Sequence, residues 1–287
     1  MSSNYTELLA KSFRDLKNNP FLFILLITLS FGTAFFIAII AGLQVALGLV
    51  IFKGALFSLA SLPYWLAFGV IDTALLFLVI AFTNAAKYGI FLDVATGKKP
   101  TLRSMLRHGH EHMKNMLTLT LALLGVALIA YIPLVLLFLI AIAAATASPI
   151  AGILLGIALS LLYIAAIIFL SILLVFTFPI ALTQKIGGIA AIKKSIAYSR
   201  ANLKHSAMTV LVSFLVGIAG AILSTIARIP SVIAQVIGET AGGMSAGMWA
   251  VYAISYSLSM IISIVLSIIL TLFVFNSYLS RHPKKKR

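Results

Sequence analysis

The sequence predicts an all-α integral membrane protein with six transmembrane helices, and two observations of composition and run length predict it. First, 62% of the 287 residues are hydrophobic and only 9% are charged, whereas a soluble domain carries about 25% charged residues. Second, the apolar runs are longer than the roughly 18 residues that indicate a membrane-spanning helix. Residues 21–52, for example, contain no charged side chain. These runs exclude a soluble fold.

Six apolar stretches account for most of the chain. They cover residues 20–50, 63–91, 115–146, 150–184, 206–228 and 246–279. Several exceed the about 20 residues that cross a bilayer, so we expect tilts, kinks or helical extensions beyond the lipid. Gly42 and Gly48 in the first stretch, Pro133 in the third and Pro179 in the fourth are the predicted bending points. The short apolar segments 53–62 and 229–237 are interpreted as interfacial or re-entrant helices.

The basic residues segregate to one side of this arrangement. Of the 21 Lys and Arg residues, 19 fall on one side of a six-span chain, and only Lys53 and Arg228 fall on the other. The positive-inside rule then places both termini in the cytoplasm. The sequence therefore predicts a multi-pass protein of the cell (plasma) membrane.

The net charge of +15 indicates an anionic partner, and the position of the basic residues in the chain indicates which kind. The basic residues lie beside the predicted spans, where each gains about 1 kcal/mol from anionic headgroups. The chain has no recognised nucleic-acid module or aromatic-basic stacking platform, so we expect membrane lipids and not nucleic acid. A protein partner and a homo-oligomer are both further possibilities. The predicted anionic-lipid contacts are Lys11, Arg14, Lys17, Arg103, Arg107, Lys193, Lys194 and Arg200.

Each predicted cytoplasmic segment has apolar residues at helical spacing beside basic ones, which is typical of an amphipathic interfacial helix. A hairpin of two spans follows each segment. We therefore interpret the chain as one transmembrane domain of three pseudo-repeat units, about 1–97, 98–187 and 188–287, related by an axis along the membrane normal. The alternative is the ordinary alternation of any protein that obeys the positive-inside rule.

Two segments carry a resemblance to known proteins. They are the opening run Ser-Phe-Arg-Asp-Leu-Lys-Asn-Asn-Pro at 12–20 and the run Gly-Gly-Ile-Ala-Ala-Ile-Lys-Lys-Ser at 187–195. The pattern resembles poorly characterised six-span prokaryotic membrane proteins, including the YciC-like inner-membrane proteins and the membrane domain of some glycerophosphoryl diester phosphodiesterases. The resemblance implies this architecture and a role in transport or envelope upkeep. No phosphodiesterase domain lies in these residues, so none of that chemistry carries over.

Catalytic motifs are missing from the sequence. The six acidic residues are scattered, whereas metal-dependent phosphotransfer needs clustered carboxylates. There is no cysteine, no His-Glu-x-x-His helix, no Walker glycine loop and no Gly-x-Ser-x-Gly elbow. We expect a non-enzymatic protein without a cofactor.

Asp72 is the acidic residue inside a predicted span, where an ionised carboxylate costs several kcal/mol unless it faces protein or water. One interpretation is a structural ion pair with Arg228 or Lys53, both expected near the outer interface. A second is a contact for a substrate, proton or cation in a cavity that opens outward. A third is exposure to interfacial water.

The run His108-Gly109-His110-Glu111-His112 is a candidate weak metal site. On a helix, His108 and His112 lie one turn apart with Glu111 near His108, while His110 points elsewhere. The alternative is a solvated basic surface near lipid headgroups.

Two small residues in the fourth stretch, Gly152 and Gly156, have the spacing that permits close helix approach. We favour packing within the bundle over a dimer interface. Together these features favour a transport or envelope/lipid-related protein with a central cavity. The alternative is a structural or regulatory accessory subunit of a membrane complex.

Overall fold

A computed structural model describes residues 4–51, 62–240, 243 and 245–282. Within these ranges the chain forms helices and short turns, with no strand, so the predicted all-α fold is confirmed. The helices are α1 Tyr5–Asn18, α2 Phe21–Ile51, α3 Leu62–Ala95, α4 Leu102–Ala147, α5 Pro149–Leu174, α6 Thr177–Gln184, α7 Gly188–Ala201, α8 Leu203–Thr240 and α9 Ala246–Arg281.

Six segments of the described chain are long and apolar enough to cross a membrane. They are α2, α3, α4, α5 together with α6, α8, and α9, and each coincides with one predicted stretch. The chain is therefore a polytopic α-helical membrane protein. The middle basic segment is continuous with its span: α4 begins at Leu102 and has 46 residues, about 70 Å of helix. This is more than twice the roughly 30 Å of the hydrocarbon core.

The fifth span is longer than the sequence indicates. Residues 229–237 belong to α8, which continues to Thr240 with Pro230 inside it, so the expectation of a separate interfacial or re-entrant helix there is wrong. Residues 53–61, the other segment of that expectation, lie outside the described residues. A proline removes a backbone hydrogen bond, but spans tolerate this where other groups compensate. Ser231 Oγ donates to the Arg228 carbonyl at 2.7 Å beside this proline.

The fourth span is interrupted next to Pro179. Helix α5 ends at Leu174 and α6 begins at Thr177. Pro179 lacks an N–H, and its ring crowds the carbonyl of Val175, four residues earlier. Thr177 Oγ1 instead donates to the Leu174 carbonyl at 2.7 Å. By contrast, α4 runs without interruption through Pro133, and α2 runs through both glycines that were predicted to bend it.

The first helix and the end of the last helix lie at one end of the bundle. Asn276 Nδ2 in α9 donates to Asp15 Oδ2 in α1 at 3.0 Å and to Ser12 Oγ at 3.1 Å. At the same end, Asn115 Nδ2 in α4 donates to the Lys185 carbonyl at 3.0 Å. We call this the basic end, since α1, the start of α4, α7 and the end of α9 meet there. Its assignment to the cytoplasm stays a prediction.

The buried core also lies at the basic end. Its residues come from the first half of α2, the second halves of α3 and α9, and parts of α4, α6 and α7. At the other end the long apolar side chains of the spans are mostly exposed, as expected of a surface covered by lipid tails. Large, fully buried members of the core are Leu22, Leu25, Ile90, Phe91, Met105, Met116, Leu119, Ile268 and Phe275.

The three predicted units differ in one respect. Helices α1 and α7 are separate helices before their hairpins, whereas the middle unit has no separate helix because its basic segment is the start of α4. The pseudo-repeat and the amphipathic character of these segments stay predictions.

A tight joint between α6 and α7 requires glycine. Lys185 (φ 53°) and Gly188 (φ 57°) both adopt left-handed backbone conformations. Between them, Gly187 lies so close to α4 that a Cβ would come 2.4 Å from the Asn115 carbonyl oxygen and 2.5 Å from Thr118 Oγ1. The first of these atoms is backbone and cannot rotate away, so this position must stay without a side chain.

Gly187→Ala should therefore destabilise the basic end, because α7 must move away from α4 to admit the methyl group. We expect a loss of about 1–3 kcal/mol, the usual cost of overpacking, measured as a lower thermal unfolding temperature in nanodiscs. Gly217→Ala is the matched control, since no heavy atom lies within 4 Å of its ideal Cβ. Equal melting of the two variants would contradict the proposed tight joint.

Candidate functional site

Asp72 on α3 is paired with an uncharged partner. Gln44 Nε2 on α2 donates to Asp72 Oδ1, and the Gln44 carbonyl accepts from the Tyr64 hydroxyl at 2.9 Å. Both polar side chains, together with Thr73, line a cavity of about 200 Å³ between α2 and α3. Its other lining side chains are apolar. The carboxylate therefore faces protein and a small cavity. This placement lowers the free-energy cost of an ionisable group inside a span.

The predicted ion pair between Asp72 and Arg228 does not form in the structure. Arg228 Nε donates to Ser259 Oγ on α9 at 2.8 Å, and its guanidinium lies 5.4 Å from the centre of the Tyr256 ring. Helix α8 packs chiefly on α9, whereas α3 packs chiefly on α4 and α2, so the two side chains have different neighbours. Lys53, the other proposed partner, lies outside the described residues. The sequence contained a signal for the true partner, since Gln44 is the one amide side chain of α2.

A larger cavity lies where the polar contacts of the basic end stop. Its volume is about 750 Å³, and α5, α6, α8 and α9 line it, with Tyr88 of α3 on one wall. The Tyr88 and Phe178 rings stack there at 4.2 Å. Most of the lining is apolar, and the Ser171 and Thr271 hydroxyls donate to carbonyls of their own helices at 2.9 Å and 2.8 Å. The lining is therefore mainly apolar, with one hydroxyl, that of Ser213, that has no hydrogen-bond partner among the described residues.

A polar pocket of about 530 Å³ lies at the basic end, next to the junction of α7 and α8. Arg200, Lys204 and Arg281 line it, and no acidic residue does. None of these three cations has an ion pair among the residues that the structure describes. At the same pocket, the Tyr5 hydroxyl and His205 Nδ1, which are 200 residues apart in the sequence, share a hydrogen bond of 2.9 Å. The charge of this pocket suits an anion.

An aromatic cluster lies beside the basic pocket. The Tyr198 ring on α7 contacts Phe176, Tyr278 and His282 at centroid distances of 5.2, 5.5 and 5.0 Å. Burial raises the pKa of Tyr198 to about 12. This phenol is therefore neutral at physiological pH and adds no negative charge next to Arg281.

The basic pocket and the apolar cavity share one face of the α8–α9 pair. Leu203 of the pocket and Val210 of the cavity are seven residues apart on α8, as are Val274 of the cavity and Arg281 of the pocket on α9. Seven residues are two helical turns, about 10 Å along the axis. The pocket therefore lies about two turns closer to the basic end than the start of the cavity, on the same helix faces.

The structure brings the three candidate metal ligands together. One ligand atom each from His108, Glu111 and His112 lies within 4.8 Å of the other two, while His110 is exposed. His108 and His112 are buried, so these two rings do not belong to a solvated surface. His108 Nε2 lies 2.8 Å from Asp93 Oδ2 on α3, a partner that sequence reasoning missed. The only hint was the short connection of residues 96–101, which brings the end of α3 beside the start of α4.

The eight predicted lipid-contact residues are all exposed. Two of them also bind protein groups: Lys194 Nζ donates to Gln184 Oε1 at 2.7 Å, and Arg107 Nε lies 3.9 Å from Glu111 Oε1. Exposure leaves the basic groups available to headgroups, and their contact with lipid stays a prediction.

The two candidate packing glycines have different surroundings. A Cβ on Gly152 would lie 2.4 Å from Ala145 Cβ and 2.5 Å from Ala145 Cα on α4, so α4 and α5 approach closely at this point. Gly156 has no heavy atom within 4 Å of its ideal Cβ. Gly152 thus permits the close approach of α4 and α5, whereas Gly156 takes no part in a close helix contact among the described residues.

Together, the fold and these sites define a polytopic α-helical membrane protein with an apolar intramembrane cavity and a basic pocket at its end. No protein-family model, curated protein or solved structure matches this chain. The resemblance to YciC-like proteins therefore stays a prediction.

Gln44→Leu should destabilise the protein, because the Asp72 carboxylate loses its hydrogen-bond donor inside a span. An unsatisfied buried polar group costs about 1–3 kcal/mol, more if it is charged. The double variant Gln44→Leu with Asp72→Leu removes both polar groups and should recover most of that loss. Thermal unfolding of the two variants and the wild type in nanodiscs measures this. A double variant that melts below Gln44→Leu would be the contrary result.

Proposed function

We propose that this protein is a non-enzymatic lipid-binding protein of the plasma membrane that acts in lipid transport or envelope maintenance. Its ligand is an anionic amphiphile of the phospholipid class. The acyl chain occupies the cavity between α5, α8 and α9, and the phosphate occupies the pocket of Arg200, Lys204 and Arg281. The observation that carries the proposal is the placement of these two sites on one face of the α8–α9 pair.

The size and lining of the cavity suit a hydrocarbon chain. Its volume of about 750 Å³ lies within the range of about 300–1,000 Å³ that is usual for small-molecule sites. A chain that moves from lipid into an apolar cavity gains little, however, because lipid tails are as apolar as leucine. Selection of the ligand must therefore come from its headgroup.

The basic pocket supplies that selection. Three cations at about 1 kcal/mol each correspond to a preference of about 150-fold for an anionic over a neutral headgroup. Arg200 and Arg281 can each hold two phosphate oxygens through their planar guanidinium groups. The positive-inside rule supports placing this pocket in the cytoplasmic leaflet, with both termini in the cytoplasm.

The alternative, an accessory subunit of a membrane complex, has one specific observation in its favour. Gly156 on α5 has no heavy atom within 4 Å of its ideal Cβ, which leaves room for the close approach of a partner's helix. A defined protein partner, with no bound lipid, would support this alternative.

Gly217→Leu should block the cavity. Gly217 lines it, and its ideal Cβ meets no heavy atom within 4 Å, so a leucine fits without moving the backbone and occupies cavity volume. Native mass spectrometry of protein released from nanodiscs should show one retained phospholipid in the wild type and loss of it in the variant. Gly125→Leu on α4 is the control, since its Cβ also has open space and it does not line this cavity. Retention in both variants would overturn the cavity assignment.

Lys204→Gln combined with Arg281→Gln should abolish most of the headgroup preference. Removing two cations at about 1 kcal/mol each lowers the preference for phosphatidylglycerol over phosphatidylcholine by about 30-fold. Lipid competition measured by native mass spectrometry gives this ratio. The control is Lys11→Gln combined with Arg14→Gln, which removes the same charge from exposed positions outside the pocket. An equal loss in both double variants would indicate a general surface potential instead of a specific pocket.

A further inference from the structure

We propose that His108, Glu111 and His112 form a binding site for one divalent transition-metal ion of the zinc class, with Asp93 as its positioning residue. This site lies on the first three turns of α4, apart from the cavity and the basic pocket of the proposed function. The two assignments are independent of each other.

The donor set has the right number and kind of atoms. One ligand atom from each of the three residues lies within 4.8 Å of the others, close enough for a single ion to contact all of them after small rotations of the side chains. Two imidazole nitrogens and one carboxylate oxygen are ligands that Zn²⁺ and its neighbours in the first transition row accept. Three protein ligands leave a further coordination position for water.

Each of the two imidazoles has a buried nitrogen that makes no hydrogen bond to the described residues. His108 and His112 are only 8% and 5% exposed, yet Nδ1 of each ring is buried without a hydrogen-bond partner among the described residues. Buried polar atoms normally have partners, and leaving one unpaired is costly. Coordination of a metal ion through its lone pair would satisfy such a nitrogen.

Asp93 determines which nitrogen of the His108 ring carries the proton. Its Oδ2 lies 2.8 Å from His108 Nε2, and because a carboxylate accepts, Nε2 must donate. In the neutral ring, the lone pair is then on Nδ1. This carboxylate–histidine arrangement is the one that orients metal-bound imidazoles and raises their basicity. It is supplied by a residue of α3 that makes no direct contact with the proposed ion.

Three basic residues lie near the site, and a metal ion must compete with one of them, Arg107, for Glu111. Lys98 Nζ lies 3.8 Å from Asp93 Oδ1, and Arg107 Nε lies 3.9 Å from Glu111 Oε1, while Lys185 acts on His112 through its charge. The Arg107–Glu111 pair is exposed at both side chains, and exposed pairs of this kind are weak. Glu111 can therefore leave Arg107 and turn to an ion between the two histidines.

The helix crossing holds the site rigid. A Cβ on Gly89 would come 2.4 Å from His108 Cβ, and a Cβ on Gly109 would come 2.6 Å from the Phe82 ring. Helices α3 and α4 thus approach closely around His108, and both contacts rely on glycine. This close approach fixes the backbone that carries His108 and His112, whereas the exposed Glu111 side chain is free to turn toward the ion.

The test is metal titration of the full chain in nanodiscs, purified without a histidine tag and stripped with EDTA. Co²⁺ is the probe for the visible spectrum, and Zn²⁺ is the competitor that should displace it. We expect one ion per chain, with affinity lowered at least tenfold by His112→Gln and by Glu111→Gln. Asp93→Asn should weaken binding by about 10–100-fold, the usual effect of losing a partner of a metal-bound histidine.

His110→Gln is the matched control, because it removes an imidazole from the same segment at an exposed position. It should bind like the wild type. Glu111 is also exposed, so Glu111→Gln reports on binding without a risk to folding, and thermal unfolding in EDTA identifies any variant that is destabilised. Binding of less than one ion per chain, or an equal loss for His110→Gln and the ligand variants, would overturn the proposal.

Discussion

The structure depends on how its helices associate in lipid, where the hydrophobic effect does not drive one helix against another. Lipid tails are as apolar as the side chains of the spans, so close packing and buried polar contacts must supply the attraction. In this protein such contacts concentrate at the basic end. Asn276, 1% exposed, joins α9 to α1 through Ser12 and Asp15. Ser195 Oγ donates to the Leu173 carbonyl at 2.9 Å and joins α7 to α5.

The position of the apolar cavity follows from this distribution. On the α8–α9 pair, Thr209 Oγ1 and Ser277 Oγ share a hydrogen bond of 2.8 Å, and His205 Nε2 lies 3.1 Å from the Ser277 carbonyl oxygen. The cavity lining on α8 begins one residue after Thr209, at Val210. Beyond these polar contacts the described residues show no side-chain hydrogen bond between α5 and the α8–α9 pair, and the space between them stays open. Along the α8–α9 pair, these polar contacts lie between the level of the cavity and the level of the basic pocket.

Two carboxylates on α3 illustrate how position decides the chemistry of one residue type. Asp72 lies far from the basic end and has an amide donor, Gln44, which stabilises it without adding a charge. Asp93 lies at the basic end, where His108 and Lys98 are both within 4 Å. The first carboxylate is held in a small cavity of the span, whereas the second can orient a ring for another ligand.

The sequence by itself determined the class, the number of spans and the end of the bundle that carries the positive charge. It could do so because backbone groups in lipid must be satisfied within each helix, so the length of an apolar run is enough to specify a span. It predicted a bend of the fourth span at Pro179, next to the observed interruption at Val175 and Phe176, but it missed the continuation of α8 past Pro230, because a proline either breaks a helix or is accommodated according to its neighbours. For the histidine segment, helical spacing was enough to place the three candidate ligands close together.

Only the tertiary structure decided which polar groups meet. Asp72 bonds to Gln44 and not to Arg228 because α3 packs on α2 and α4 while α8 packs on α9, and no local pattern encodes that choice of neighbours. The partnership of Asp93 with His108, and the alignment of the cavity with the basic pocket, depend in the same way on helix rotation and crossing. Local spacing specifies what one helix presents on each face, but the packing of several helices determines what that face contacts.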